Sequence, residues 1–378
     1  MKKRVVIGMS GGVDSSVAAY LLKEQGYEVI GLFMRNWDST TNQDVLGNPD
    51  INDDICPQEK DYQDALRVCN HLDIPLHRVD FIEEYWRDVF TYFLDEYKKG
   101  RTPNPDIMCN KYIKFDAFKK HAEQFNPDYI AMGHYARVKH TEDNVFLLRG
   151  VDDNKDQTYF LSQLTKDQLS NALFPVGEYV KKEIREIAIK QNIPTATKKD
   201  STGICFIGER EFSQFLTNYL PNQPGEIKTL DGETLATHLG LMHYTIGQRK
   251  GLGIGGSQKY DNKPWFVIGK DLKTNTLYAG QGFHHPQLYS TSCTVEEMNV
   301  IDSNLSIDHL ECTAKFRYRQ KDVPVTLYKK DDGLVEVIYK EPVRAVTPGQ
   351  AAVFYHGEVC LGGGLIKNVF KDNELLPY

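Results

Sequence analysis

Short apolar runs alternate with amphipathic stretches through the first half of the chain. Runs rich in Val, Ile, Leu and Phe predict buried strands, and apolar positions recurring every three or four residues predict helices. This alternation favours a parallel sheet with helices on both faces, which is a doubly wound α/β fold. The predicted strands cover residues 5–9, 28–34, 75–81 and 129–135, and the predicted helices cover residues 14–22, 61–71, 83–99, 111–125 and 178–191.

The pattern changes near residue 211. Pro221, Pro224 and a glycine-rich run at 247–256 indicate a small, loop-rich central unit that ends around residue 283. Beyond Cys293, alternating short strands predict a closed or nearly closed β-barrel. These strands cover residues 310–319, 323–330, 334–341 and 351–360, with a hairpin turn at 331–333. The expected domains are therefore 1–210, 211–283 and 284–378.

Composition places the chain among globular proteins that do not enter a membrane. It has 378 residues, of which 40% are hydrophobic and 26% charged. No apolar run approaches the length of a membrane span, and the short run after the basic N-terminus is too brief for a signal peptide. A cytoplasmic location is expected. The net charge of −7 arises from acidic residues within the first hundred, so basic faces remain possible elsewhere.

Residues 10–16, Ser-Gly-Gly-Val-Asp-Ser-Ser, follow the first predicted strand and open the first helix. A glycine turn before a helix N-terminus directs backbone N–H groups toward an anion. The Ser and Asp side chains add hydrogen bonds or hold a metal ion. The sequence is neither a Walker loop nor a dinucleotide fingerprint, and it matches the pyrophosphate loop of ATP pyrophosphatases. That resemblance implies ATP, with Mg²⁺, as the ligand. The alternative is an ordinary glycine turn before a helix.

Cys109 follows a loop stiffened by Pro103 and Pro105. The predicted helix begins beside it, with Asn110 available as a cap and Lys111 as a neighbouring cation. A helix N-terminus and a cation both lower the pKa of a thiol, so Cys109 is expected to form a thiolate. Asp106 is positioned to move a proton. The alternative is a small cysteine buried beneath the loop.

Cys205 lies between Gly203 and Gly208, with Lys198 and Lys199 upstream. A loop cysteine near cations is suited to carry a persulfide, although packing among its apolar neighbours is the competing interpretation. An ATP-cleaving loop and two thiols together suit one reaction. Adenylation turns a carbonyl oxygen into a leaving group, a persulfide supplies the sulfur, and the second thiol takes the resulting disulfide. The seven cysteines include no C-x-x-C pair, which argues against a disulfide framework and against a metal site.

These motifs together resemble the bacterial tRNA-specific 2-thiouridylases over nearly the whole chain. The resemblance is carried by residues 8–16, 100–106, 109–110, 133–135, 155–157, 200–208 and 247–253. It implies an adenine nucleotide alpha hydrolase-like domain, a central domain and a tRNA-contacting barrel. The implied reaction is ATP-dependent 2-thiolation of the wobble uridine (position 34) of tRNA, with sulfur supplied by a cysteine desulfurase through a carrier protein.

The resemblance also implies roles for individual residues. Cys109 would be the nucleophile and Cys205 the persulfide carrier, with Asp106 beside them. ATP would be bound by Gly8, Met9, Ser10, Gly11, Gly12, Val13, Asp14, Ser15, Met34 and Gly133. tRNA would be contacted by Asn104, Pro105, Asp106, His134, Lys155, Asp156, Gln157, Arg317, Tyr318 and Gln350.

Residues 315–321 place a basic side chain at every odd position. On a strand this alternation would put four cations on one face, which suits a phosphate backbone, with Tyr318 near for stacking. The alternative is a solvated edge strand protected by charge. The loop at 247–256, with Arg249 and Lys250, is either an RNA clamp or a disordered surface loop.

Two other functions stay open on the sequence alone. An ATP-pyrophosphatase ligase or amidotransferase would use residues 10–16 but leave both cysteines and the barrel without a role. A nucleotide-sensing RNA-binding module would also leave the thiols idle. The sequence does not reveal the tRNAs selected, the sulfur donor, the form in which sulfur is delivered, the distance between Cys109 and Cys205, or the oligomeric state.

Overall fold

The structure is a computed structural model that describes residues 2–53, 55–200, 203–205, 207–208, 210–255 and 260–378. Its strands are β1 Arg4–Met9, β2 Glu28–Arg35, β3 Leu76–Asp80, β4 Tyr129–Ala131, β5 Ala136–His140, β6 Val145–Arg149, β7 Ala172–Leu173, β8 Gly225–Lys228, β9 Thr234–His238, β10 Trp265–Asp271, β11 Thr276–Gln281, β12 Tyr289–Val300, β13 Leu310–Lys315, β14 Val323–Lys329, β15 Val335–Arg344, β16 Ala351–His356, β17 Val359–Lys371 and β18 Glu374–Leu375.

The helices are concentrated before residue 191. The α-helices are α1 Val13–Glu24, α2 Pro57–Leu72, α3 Ile82–Tyr85, α4 Thr91–Lys98, α5 Pro105–Met108, α6 Phe118–Ala122, α7 Thr158–Leu161, α8 Lys166–Leu169, α9 Lys181–Lys190 and α10 Phe212–Thr217. Two π-helical segments, Trp86–Phe90 and Cys109–Ala117, continue α3 into α4 and α5 into α6, and short 3₁₀ turns occupy Glu123–Phe125, Leu241–His243 and Pro286–Leu288.

The N-terminal sheet is parallel and has the strand order β3-β2-β1-β4-β7. Alternate residues of β1 enter two separate cores. Val5, Ile7 and Met9 pack with α1, α2 and α9 on one face. Val6 packs on the other face with the aromatic side chains of residues 81–125. Helices therefore cover both faces, and the predicted doubly wound α/β class is confirmed.

Several predicted bounds are wrong. The helix expected over 61–71 begins at Pro57, and the strand expected over 129–135 ends at Ala131. The helix expected over 111–125 begins at Pro105, where the side chain of Asn104 accepts the N–H of Asp106 at 3.2 Å and caps the first turn. Pro at the first helical position and Asn before it are a standard helix start, and the two prolines had been assigned to a loop instead. Cys109 therefore lies beyond the first turn and not at the helix N-terminus.

The central unit is a four-stranded sheet with the order β10-β11-β8-β9. Its glycine-rich segment is attached to this sheet, because Gly247 N–H donates to Val267 O and Val267 N–H donates to Gln248 O. Leu252 from the same segment is buried in the core of this unit. The last glycine of the predicted 247–256 loop lies outside the described residues.

The C-terminal part is a closed antiparallel barrel. Strands β12, β15, β14, β13, β16 and β17 follow one another around it, and pairing of β12 with β17 completes the ring. The strand predicted over 351–360 is divided between β16 and β17, because Gly357 has a φ of +59° and turns the chain. The barrel itself confirms the predicted architecture.

The hairpin β5–β6 links the two ends of the chain. It follows β4 in the N-terminal half, yet β6 pairs with β17 through Val359–Leu148 and Cys360–Leu147. Arg149 reinforces this junction by ion-pairing with Asp322 at 2.6 Å. The sequence pattern did not predict this hairpin or its place in the barrel sheet. The proposed domain bounds stay predictions.

Candidate active site

The glycine-rich loop lies where the strand order of the parallel sheet reverses. Strands β2 and β3 lie on one side of β1, and β4 lies on the other. The carboxyl ends of β1 and β4 therefore border a crevice, which is where open α/β sheets bind ligands. Residues 10–15 follow β1, and Gly133 follows β4. Met34 is buried at the end of β2, close to Gly8.

Glycines allow close backbone packing around this crevice. Gly11 has a φ of +69°, and a Cβ there would lie 2.2 Å from the carbonyl oxygen of Asp61. A Cβ on Gly133 would lie 2.9 Å from the amide nitrogen of Ser15. Gly12 precedes α1 without a capping side chain, so the helix N-terminus is available to an anion.

Asp14 in the first turn of α1 is held by two partners that the sequence did not indicate. Tyr135 donates its hydroxyl to Asp14 at 2.8 Å, and the Lys181 ammonium contacts both carboxylate oxygens at 2.8 and 2.9 Å. Lys181 also pairs with Asp200 at 2.7 Å. The loop is therefore connected through Lys181 to the segment that leads to Cys205.

Asp200 gathers three cations, which are Lys155 at 2.9 Å, Lys181 at 2.7 Å and Arg185 at 2.7 Å. Partial burial raises the pKa of Asp200, but hydrogen bonds from Lys181 and Lys155 outweigh it and hold the pKa below the ordinary value. The carboxylate is therefore charged at neutral pH. It joins the glycine-rich loop, through Lys181, to Lys155 of the predicted tRNA motif.

The two cysteines that the sequence singled out lie together. Cys109 Sγ is 3.9 Å from Cys205 Sγ, although 96 residues separate them, and both are free thiols. Cys109 is fully buried, whereas Cys205 is partly exposed. A disulfide needs about 2.05 Å between the sulfurs, so a small shift would join them. The competing interpretations are a cysteine packed beneath a loop and a cysteine packed in a core. Neither explains why the two thiols lie so close together.

Backbone contacts fix the Cys205 turn. Cys205 N–H donates to Asp106 Oδ1 at 3.1 Å, and the Tyr85 hydroxyl donates to Cys205 O at 2.9 Å. Gly208 N–H donates to Ile204 O at 2.9 Å and closes the turn. Ser201, Thr202 and Phe206 of the predicted motif lie outside the described residues.

The prediction that Cys109 forms a thiolate is wrong. Burial raises the pKa of Cys109 well above its ordinary value, and the hydrogen bond that it donates to Cys205 raises it further. That same hydrogen bond lowers the pKa of Cys205, and Lys114 lowers it too, while burial opposes both. Burial also raises the pKa of Asp106. Of the two thiols, Cys205 is therefore the more readily deprotonated.

The lysines expected beside the thiols bind other groups instead. Lys198 binds Gly11 O at 3.0 Å, Asp61 at 2.7 Å and Asp64 at 2.6 Å, so it fastens the glycine-rich loop to α2. Lys111 donates to Gln163 at 3.2 Å. Lys114, which the sequence did not single out, hydrogen-bonds Cys205 instead.

The predicted tRNA residues of the N-terminal half differ in their surroundings. Lys155 is half-exposed, whereas Asp156 is buried and accepts the Thr158 hydroxyl at 2.9 Å. Gln157 accepts the N–H of Tyr135 at 2.9 Å. His134 is buried, and its Nδ1 has no hydrogen-bond partner among the residues that the structure describes.

The barrel meets the loop before Cys109. Gln350 Nε2 donates to Thr102 O at 2.7 Å, and Thr102 N–H donates to Pro348 O at 3.0 Å. Gln350 therefore binds the backbone two residues before Asn104. Asn104, Pro105 and Asp106 form the segment that is predicted to contact the base. Tyr318 packs on Phe160 with ring centroids 4.5 Å apart.

The predicted basic row at 315–321 is wrong. Strand β13 ends at Lys315, and Arg319 has a φ of +63°, so strand alternation does not continue. Arg317 turns inward, where it donates to Ile246 O at 3.0 Å and Ala345 O at 2.7 Å. The edge-strand alternative is also wrong, because β14 and β16 flank β13.

Two features are absent from the described part of the chain. No group of three or more His, Cys, Asp or Glu side chains is arranged there to hold a metal ion. No helix there is long and apolar enough to cross a membrane.

Comparison with known proteins identifies the three parts of the chain. Residues 3–209 match the family model described as a tRNA methyl transferase HUP domain. Residues 213–281 match a tRNA methyl transferase PRC-barrel domain, and residues 290–366 match an aminomethyltransferase beta-barrel domain. Among solved structures, a 4-thiouridine synthetase in complex with RNA and ATP aligns with 55% of this chain and 46% of its own, at 15% identity and a TM-score of 0.33, which is too limited an overlap to bear on function.

Curated relatives match over the full length. The tRNA-specific 2-thiouridylase MnmA of Listeria monocytogenes is 60% identical over 375 residues, covering 99% of this chain and 97% of the relative. The protein of the same name from Staphylococcus carnosus is 58% identical over 376 residues, covering 99% and 98%. The chain belongs to the tRNA-specific 2-thiouridylase family.

Proposed function

We propose that the protein is an ATP-dependent sulfurtransferase that replaces the C2 oxygen of the wobble uridine of tRNA with sulfur. The observation that carries this proposal is the 3.9 Å separation of Cys109 and Cys205 Sγ beside Asp106, in the same domain as the glycine-rich loop. A ligase or a nucleotide-sensing module would have no use for this pair. The family relationship supports the same substrate.

The first step activates the oxygen. The uridine C2 oxygen attacks the α-phosphorus of ATP, an O–P bond forms, and pyrophosphate leaves as the α–β bond breaks. The N–H groups at the start of α1 are suited to hold the phosphates. Mg²⁺ fits here only as a partner of the triphosphate, because both oxygens of Asp14 already contact Lys181. With ATP bound, Mg²⁺ would neutralise phosphate charge.

The second step replaces the oxygen. The outer sulfur of a persulfide on Cys205 attacks C2, and the oxygen departs with AMP. Cys109 then transfers its proton to Asp106 and attacks Cys205 Sγ, so the C2–sulfur fragment leaves and a Cys109–Cys205 disulfide forms. An external dithiol reduces that disulfide by two electrons. In a second route Cys109 attacks the persulfide first and releases hydrosulfide, which then attacks C2.

The test incubates the full chain with ATP, unmodified tRNA and a persulfide donor, and analyses the nucleosides by mass. Wild-type protein should form 2-thiouridine, whereas Cys205→Ser and Cys109→Ser should form none above background. Cys56→Ser is the matched control, because Cys56 is an exposed free thiol. Full turnover by Cys205→Ser would refute the proposal.

Two further measurements separate the alternatives. ATP–pyrophosphate exchange should require unmodified tRNA, and exchange driven by small carboxylic acids instead would indicate a ligase. A hydrosulfide trap should stop the reaction only in the route that releases sulfide. Uninhibited thiolation in its presence indicates direct transfer from the Cys205 persulfide.

A further inference from the structure

Lys114 lies in the π-helical segment Cys109–Ala117, five residues after Cys109. In an α-helix of about 3.6 residues per turn, side chains five residues apart point about 140° away from each other. In a π-helix the N–H of residue i+5 donates to the carbonyl of residue i, so residue i+5 lies nearly one turn above residue i. The N–H of Phe118 donates to Ile113 O in this way. The π-helical turn therefore brings Lys114 to the same side of the helix as Cys109.

The surroundings of Lys114 come from four separate elements. Its ammonium hydrogen-bonds the sulfur of Cys205 and interacts electrostatically with Cys109 and Asp106. His134 lies between β4 and β5. Burial lowers the pKa of this imidazole, and the charge of Lys114 lowers it further. Tyr85 from α3 faces the same two thiols and the same carboxyl group. Lys114 is thus the ammonium at the centre of a group of acidic side chains and an imidazole.

This environment makes a lone anion costly. Burial opposes a negative charge on Cys205, because it removes part of the water that would solvate a charged sulfur. A cation at hydrogen-bond distance offsets that cost more effectively in such a site than at the surface. Burial lowers the pKa of Lys114, but interactions with Cys205, Cys109 and Asp106 outweigh burial and raise that pKa, so the ammonium retains its charge.

We propose that Lys114 is a further catalytic residue, whose ammonium stabilises Cys205 as an anion, first as the thiolate and then as the persulfide. This inference rests on the proposed function. In the loading step, Cys205 Sγ attacks the outer sulfur of a donor persulfide, a new S–S bond forms, and the donor leaves as a thiolate when its own S–S bond breaks. Before the attack, the negative charge lies on Cys205 Sγ beside Lys114. The attack neutralises that sulfur, and deprotonation of the new persulfide then returns a negative charge to the site.

The experiment measures the alkylation rate of Cys205 by iodoacetamide against pH in the full chain, with the modified peptide identified by mass. Lys114→Met should move the midpoint up by at least about one pH unit, which is about tenfold less thiolate at neutral pH. Lys114→Arg should retain a midpoint near that of wild type. Lys111→Met is the matched control, because Lys111 donates to Gln163 from the same segment, and its midpoint should not change.

The outcomes separate this inference from the proposed function. Alkylation needs neither ATP nor tRNA, so an unchanged midpoint in Lys114→Met overturns the role of Lys114 while leaving thiolation intact. Failure of wild-type protein to form 2-thiouridine overturns the proposed function alone. If Lys114→Met does not fold by circular dichroism, Lys114→Gln serves in its place, and an elevated midpoint in Lys114→Arg as well would show that packing and not charge matters.

Discussion

At the residue scale, the turn before α1 depends on one backbone conformation. Gly11 has a φ of +69°, which side-chain-bearing residues adopt only with strain, and its missing Cβ leaves room for Asp61 O at 2.2 Å from the position that the Cβ would occupy. The carbonyl of Gly11 is also fixed by Lys198 at 3.0 Å. A side chain at position 11 would therefore be disfavoured both by backbone strain and by a clash with Asp61.

Gly11→Ala is expected to weaken ATP binding by at least about tenfold, because the loop must move away from α2. The matched control is Gly26→Ala, at a φ of +87° with no atom within 4 Å of the added Cβ. The control should lose only the conformational cost of about 1 kcal/mol in stability and bind ATP normally. Calorimetric titration with ATP measures both, and equal affinity in the two variants would contradict the steric argument.

Single residues also show which features of the site could be predicted from the sequence and which could not. Cys109, Cys205 and Asp106 were predicted as a group from residue type and neighbours, and the structure brings the three together. The thiolate predicted at Cys109 is wrong, because burial and the hydrogen bond to Cys205 raise the pKa of Cys109, and both are properties of the folded chain. Lys114 was missed because a helical repeat of 3.6 residues places it away from Cys109.

At the element scale, residues 198–200, which lead into the Cys205 turn, are held by ion pairs. Lys198 is bound by α2, and Asp200 is bound by Lys181 and Arg185 of α9. Lys199 between them is exposed. The position of the segment therefore depends on charge.

Asp200→Asn should expose the backbone around Lys198 and Lys199 to trypsin. Three partly exposed pairs at roughly 0.5 kcal/mol each would be lost, so cleavage there should become about five- to tenfold faster. Timed proteolysis with identification of the cleaved peptides measures the rate. Glu186→Gln is the control, because the Lys182–Glu186 pair lies exposed on the same helix at 3.8 Å and should not affect cleavage. Equal rates in all three proteins would mean that contacts other than these pairs hold the segment.

Elements with a clear period were predictable, and their ends were less so. The strands β1 and β2 follow the apolar runs of the sequence closely. The start of α5 was missed because two prolines indicate a loop as readily as a helix N-terminus. The strand predicted over 310–319 was overextended, because alternation of charge persists in the sequence after β13 has ended at Lys315.

At the whole-molecule scale, Lys270 links the central sheet to the catalytic domain. It lies in β10, is buried, and donates to Gly100 O at 2.8 Å, directly before the loop that leads to Cys109. Burial lowers the pKa of Lys270 to about 7. The folded protein therefore loses this proton at a lower pH than the unfolded chain, whose lysines have a pKa of about 10.4.

Between about pH 7 and about pH 10 the unfolded state binds more protons at this position, so wild-type stability should rise with pH relative to Lys270→Met. The difference should grow by at most about 1.4 kcal/mol per pH unit. Thermal unfolding of both proteins at several pH values in this range measures it. Lys273→Met removes an exposed lysine of the same unit and should follow wild type. Parallel curves for wild type and Lys270→Met would show that the buried ammonium does not titrate in this range.

The larger assembly was only partly predictable. The order of a parallel sheet, a small sheet and a barrel follows from local periodicity and turn residues. The placement of β5 and β6 does not, because their partner β17 lies more than two hundred residues later and no local signal specifies a strand's neighbour.

The shared β6–β17 pairing has a consequence for how this architecture can change over time. A barrel attached only by a linker could be exchanged between genes as a module. Here its removal would leave β6 without the partner that satisfies its backbone and would expose an apolar hairpin edge. Recombination that separates the two ends of the chain is therefore expected to yield insoluble products, and natural variation should accumulate by point substitution and not by shuffling.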